Sequence, residues 1–208
     1  MKKTSLFLVA SIVLASCSVK NPEGDKAQTT EQAEVSSTEG TELAINAAAS
    51  KIVWTGSKVS GTHTGTVALK EGSVWVKDGK ITGGSFVTDQ NSISDSDLEG
   101  EWKEKLEGHL KSADFFDVAQ FPEAKFEITS VTEGAENGNV TISGNLTLRG
   151  VTKNITFPAT ISEFSATGVK ASADFNVLRE DWGIVYAGKA DDLISKEFNL
   201  KIEIVAGS

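Results

Sequence analysis

Three stretches of the chain alternate apolar and polar residues without a break. In 140–148, Val140, Ile142, Leu146 and Leu148 share one face, and Thr141, Ser143, Asn145 and Thr147 share the other. In 198–204, Phe198, Leu200, Ile202 and Ile204 line up the same way. In 169–177, Val169, Ala171, Ala173, Phe175 and Val177 oppose Lys170, Ser172, Asp174 and Asn176. Weaker alternation covers 51–57, 64–69, 73–77, 80–88, 125–132 and 155–161. A period of two with one apolar face predicts antiparallel strands covered on one side and solvated on the other. Asp78-Gly79, Asn137-Gly138 and Arg149-Gly150 punctuate the strands. They suit tight hairpin turns, whose central residues need positive φ.

One segment has the other period. Residues 95–112 place Leu98, Trp102, Leu106 and Leu110 on a helical stripe, with Asp95 or Asp97 available to cap its start. The pattern therefore predicts an all-β domain of eight or nine antiparallel strands with one amphipathic helix inserted mid-chain. A sheet of about eight strands curls and closes, which removes its edges and points alternate residues inward. The residues expected to line that lumen are Leu146, Leu148, Phe157, Ala173, Phe175, Phe198, Leu200 and Ile202, with Phe115, Phe116 and Phe126 from the aromatic stretch beyond the helix. Small residues at Gly83, Gly144 and Ala171 leave space inside. The cluster at Phe115, Phe116 and Phe121 reads either as a plug packing helix on barrel or as a lid over a ligand.

The first 49 residues differ from the rest. Lys2 and Lys3 precede an apolar run from Leu6 to Ala15, ten residues long and too short to span a bilayer. The run ends in Leu14-Ala15-Ser16-Cys17, which resembles a bacterial lipobox. Residues 1–16 are expected to be a signal peptide and Cys17 a lipidated N-terminus, because two or more acyl chains hold a protein on a membrane. Residues 17–49 carry many Glu, Thr, Ser and Ala and few large apolar residues. They are expected to form a flexible acidic tether, since little apolar surface is available to offset ordering. The folded domain is expected over 50–208. The anchor implies the cell envelope, and Ser18 after the cysteine favours the outer membrane, with the domain in the periplasm or at the cell surface.

Chemistry is sparse. A net charge of −9 across 208 residues argues against nucleic acid as a partner. With a single cysteine there is no intrachain disulfide. The two histidines, His63 and His109, stand in no HExxH-type spacing, so structural roles are expected and no metal or catalytic role. Asp89, Asp95, Asp97 and Glu99 lack the spacing of a calcium loop and suit the start of a helix. No GxSxG or GxGxxG unit is present. Arg149 and Arg179, the two arginines, are expected in structural ion pairs.

Four blocks in order carry a resemblance: Gly108-His-Leu-Lys-Ser-Ala-Asp-Phe-Phe-Asp-Val118, Phe121-Pro-Glu-Ala-Lys-Phe126, Gly144-Asn-Leu-Thr-Leu-Arg-Gly-Val-Thr-Lys153 and Arg179-Glu-Asp-Trp-Gly-Ile184. Over roughly 52–205 the chain resembles the YceI-like family of bacterial polyisoprenoid-binding proteins. The resemblance implies a lipocalin-like barrel holding a long isoprenoid, an isoprenoid quinone or a similar amphiphile, without catalysis or cofactor. Two other readings stand beside it: a surface structural module with a filled core, and a metal-assisted hydrolase using His63 or His109.

Overall fold

The computed structural model describes residues 19–136 and 138–207. The expected signal peptide (1–16) and lipidation site (Cys17) lie outside these residues, as does Asn137 of the expected Asn137-Gly138 turn. Among the described residues the order of elements is β1 (Asp25–Lys26), β2 (Gln28–Glu31), β3 (Thr41–Ala44), β4 (Lys51–Lys58), β5 (Gly61–Lys77), β6 (Lys80–Asp95), α1 (Gly100–Lys111), β7 (Glu123–Glu133), β8 (Asn139–Leu148), β9 (Val151–Phe164), β10 (Gly168–Leu178), a 3-10 turn (Arg179–Trp182), β11 (Gly188–Lys189) and β12 (Asp192–Gly207).

Eight of the strands close into an antiparallel barrel. β4, β5, β6, β7, β8, β9, β10 and β12 follow one another around the wall, and β12 returns to β4. Asp78 and Gly79 take φ of 50° and 77°, and Arg149 and Gly150 take 48° and 72°. Both pairs make the two-residue hairpin loops their chemistry predicts. The alternations at 64–69 and 73–77 are not two strands. They join into the 17-residue β5, whose register against β6 slips near Thr66, Leu69 and Trp75. Such bulges bend a strand around a barrel and break the period-two pattern, which is why the sequence reads as two pieces.

Two core clusters line the interior. The larger runs along β8, β9 and β10 and includes Leu146, Leu148, Ile155, Phe157, Phe175 and Trp182. Phe157 stacks on Phe175 with centroids 3.9 Å apart, and Phe126 meets Phe157 at 5.7 Å. A Cβ on Gly144 would collide with the Phe126 ring, so this strand glycine serves close packing. The smaller cluster closes the opposite end with Val74, Val76, Val169, Ala206 and Leu43.

The tether expected over 17–49 is corrected by the structure over its described part. Residues 21–46 form a strap around the outside of the barrel. β9 and β10 pair directly only from Ala159 to Phe164, and beyond that they part. β1 and β2 fill the opening, β1 parallel to β10 and β2 antiparallel to β9. The strap then crosses β8 and β7, where Ala33 N–H donates to Asn145 Oδ1 at 3.0 Å and Ser36 N–H to the Ile128 carbonyl at 3.0 Å. β3 pairs with the far half of β5, and Asn46 N–H reaches the Val205 carbonyl of β12. Hydrogen bonding to incomplete sheet edges, with Ala27 and Leu43 buried, supplies what the composition lacked. The outer face is therefore not uniformly solvated. Asn145, Asn154, Asn176 and Asn199 point outward by strand parity yet are buried, and they bond one another and the strap.

The helix also departs from expectation. α1 begins at Gly100, because Asp95 still belongs to β6. Neither Asp95 nor Asp97 caps it; the N-cap is Glu99, without a side-chain bond. Trp102 is not on a buried stripe: it is 71% exposed, with the Lys105 ammonium 5.0 Å from its ring centroid. Leu106 and Leu110 face the barrel instead.

Candidate functional site: the lumen and its lid

A cavity of about 290 Å³ runs along the barrel axis. Its wall is the inward face of the strands. β8 supplies Leu146 and Leu148, β9 Phe157, β10 Ala173 and Phe175, and β12 Phe198, Leu200 and Ile202. Phe126 of β7 joins them, and Phe115 and Phe116 line the cavity from beyond α1. All eleven lumen candidates thus border one space. Sequence reasoning passed over Trp54, Val67, Ile93 and Phe86, which line the β4–β6 side. Register shifts near Val67 and between Asp89 and Ser94 interrupt the alternation around Val67 and Ile93, whereas Trp54 sits in a regular stretch of β4.

One end is closed by the Leu43 cluster and the other by a lid. α1 carries Leu106 and Leu110 over the opening. Beyond it the chain turns back sharply, with Asp117 at φ 46° and its N–H on the Ser112 carbonyl. Phe116 meets Phe198 edge-on at 6.2 Å. His109 lies edge-on to both Phe115 and Tyr186, each at 4.9 Å, and its Nε2 is 3.1 Å from Asp114 Oδ2. The aromatic block is both plug and roof.

The 3-10 turn seals the same end. Trp182 is fully buried and donates its indole N–H to the Leu146 carbonyl at 3.0 Å. Arg179 is not in the ion pair expected of it. Its guanidinium donates to the carbonyls of Ser195, at 2.8 Å, and Ile184. Burial is what pulls its pKa below the ordinary value. Arg149 likewise donates to a carbonyl, that of Gly183. In both cases backbone carbonyls take the place of a carboxylate.

Charged groups stand at the rim. Asp192 accepts from Lys58 Nζ at 2.8 Å and from the Ser60 backbone N–H at 2.9 Å, tying two hairpins together. The Lys58 contact, with the Ser60 bonds, pulls the Asp192 carboxyl down to about 2. Asp97 is also held below its usual range. Burial opposes this, but the Thr64 N–H, the His63 ring and Asp95 outweigh it. His63, Asp95 and Asp97, separate in the sequence reading, come together here. Glu107 of α1 accepts from the Asp95 N–H and the Ser94 hydroxyl, both at 2.9 Å, and so roots the lid on β6.

The geometry defines a closed up-and-down barrel with an apolar lumen, roofed by one helix. Residues 43–206 match the model of the YceI-like domain, and the chain belongs to the YceI-like family. A UPF0312 protein of Pseudomonas putida is 41% identical over 88 residues, 41% of this chain and 45% of that protein. A UPF0312 protein of Shewanella denitrificans is 34% identical over 137 residues, 62% of this chain and 63% of that one. The chain thus spans less than two thirds of the length of these relatives. Among solved structures, a polyisoprenoid-binding domain from Saccharophagus degradans, implicated in plant cell wall breakdown, superposes with a TM-score of 0.61 at 16% identity, covering 82% of this chain and 99% of that one. BcnA of Burkholderia cenocepacia superposes with a TM-score of 0.58 at 16% identity, over 78% and 99%. These likenesses establish the fold.

Proposed function

We propose that this protein is a binding protein, not an enzyme, and holds a polyisoprenoid, isoprenoid quinone or similar amphiphile in its lumen for carriage or sequestration. The observation that carries this reading is the cavity of about 290 Å³, walled by aliphatic and aromatic side chains from every barrel strand. Burying an apolar tail there gains about 0.8 kcal/mol per methylene with no polar contact. The polyisoprenoid-binding domain of the same fold supports the ligand class. The lipobox-like run supports a membrane anchor at Cys17, placing the domain in the cell envelope, with the outer membrane favoured. Native mass spectrometry of the gently purified protein, followed by organic extraction, tests the reading. A bound prenyl species is expected. An empty barrel that takes up no added prenyl alcohol would favour the structural module instead.

A further inference from the structure

At the lid end of the barrel, the pairing of β5 with β6 sets Gly65 opposite Asp95. This brings His63, near the start of β5, beside Asp95 and Asp97 at the β6–α1 turn. Each of the three residues offers a ligand atom, and all of these lie within 4.8 Å of one another. Backbone N–H groups hold one oxygen, Oδ1, of each carboxylate. Asp97 Oδ1 accepts the Thr64 N–H at 2.7 Å. Asp95 Oδ1 accepts the N–H groups of Asp97, at 3.0 Å, and Leu98, at 2.6 Å. The two Oδ2 atoms are left over. That of Asp97 meets His63 Nδ1 at 2.9 Å. That of Asp95 has no partner among the described residues, although Asp95 is only 1% exposed. Leaving a buried carboxylate oxygen unsatisfied is costly, so native structures seldom do so without a reason.

We propose that His63, Asp95 and Asp97 form a site for a divalent transition metal of the zinc type. One imidazole nitrogen and two carboxylate oxygens match the donors zinc accepts, and three protein ligands leave a position for water or an incoming group. Magnesium and calcium prefer all-oxygen shells, so the imidazole selects against them. The two carboxylates balance the charge of the ion. The backbone N–H groups on the Oδ1 atoms are the outer contacts that aim ligating carboxylates. The ion would take the place of the His63–Asp97 contact and supply the partner that Asp95 Oδ2 lacks. It would fasten the start of β5 to the turn from which the lid springs. His63 also lines the lumen, so the site stands at the rim. Among the described residues His109, paired with Asp114, stands in no such set.

The test is calorimetric titration of zinc chloride into the full, untagged, chelator-treated chain in detergent. The chain carries Cys17→Ser so that no thiol competes. One zinc per chain is expected. Binding should be lost in His63→Ala and in Asp95→Asn, which keeps the Oδ1 acceptor and so the turn, and it should survive in His109→Ala. Zinc should raise the melting temperature of the parent and leave that of His63→Ala unmoved, and magnesium should give no response. If Asp95→Asn does not fold, Asp97→Asn at the more exposed ligand makes the same test. No saturable zinc binding, binding that persists in His63→Ala, or an equal response to magnesium would overturn the site.

Discussion

Leu43→Ala measures whether the N-terminal strap belongs to the fold. Leu43 pairs with Val74 across β3 and β5, is 6% exposed and packs with Val76, Val169 and Ala206. Truncation removes three carbon groups, worth roughly 2 kcal/mol at about 0.8 kcal/mol for each buried methylene. A residual cavity adds to that, and measured Leu→Ala losses run from about 2 to 5 kcal/mol. β3 is a short outer strand that can settle inward, so the lower half of the range applies, about 2–3 kcal/mol. For a chain of this size each kcal/mol moves the melting temperature by about 2–4 °C, so a fall of roughly 4–12 °C is expected. Val35→Ala is the control: Val35 also lies in the strap but is exposed, and surface changes stay within about 0.5 kcal/mol. The assay is thermal and urea denaturation followed by far-ultraviolet circular dichroism. If Leu43→Ala melts with Val35→Ala and the parent, the strap is a tether after all and the packing argument fails.

Three further outcomes can be checked. Ala173→Trp projects an indole into the lumen; it should displace co-purified lipid while the protein stays folded, whereas a barrel with no usable space would lose about 1–3 kcal/mol from overpacking. The Asp192 carboxyl, drawn from 3.8 to about 2 by Lys58 and Ser60, stabilises the fold above its unfolded value and loses that contribution as pH falls toward about 2. Asp192→Asn should therefore melt below the parent at neutral pH and converge with it near pH 2, and a gap that does not close would reject the linkage. Cys17→Ser should move the protein from the membrane fraction to the soluble one, or stall its processing; unchanged fractionation would remove the proposed anchor.

The barrel was legible where its strands are regular. β8, β10 and the second half of β12 keep strict alternation, and every lumen candidate drawn from them borders the cavity. β5 and β6 were legible only in part, because bulges shift the apolar set from one face to the other within a single strand. The strap was illegible by composition. Its stability comes from backbone bonds to sheet edges, and backbone groups leave no trace in residue types. One signal did exist: Asn145, Asn154, Asn176 and Asn199 sit at outward positions in strands, where Asn is depleted. An outward polar residue that is neither Thr nor charged can mark a place where something else lies on the sheet. Trp102 misled for the opposite reason, since a large apolar residue at helical spacing is weak evidence of burial when a lysine at i+3 can cover its ring.

The correction to the tether changes how the lumen stands toward a membrane. A free segment from Cys17 to Ala49 would let the domain roam far from its anchor. Instead, Asn21 already accepts a bond from Ser195, at 2.8 Å, and the Pro22 carbonyl accepts one from Asn176, at 2.9 Å. Asn21 is four residue steps from Cys17, a span of at most about 14 Å at 3.3–3.6 Å per residue. Ser195 lies beside Arg179 and the 3-10 turn, at the lid end of the barrel. With the anchor proposed at Cys17, the barrel would hang by its lid end, with α1 and the Phe115–Phe116 roof held near the lipid surface. The opening between β9 and β10, which β1 and β2 fill, is next to the same attachment. On that proposal a ligand leaving a bilayer for this lumen would cross a short gap at the lid or at a seam closed by only two short strands, and the segment that shuts the seam would be the one bearing the proposed anchor.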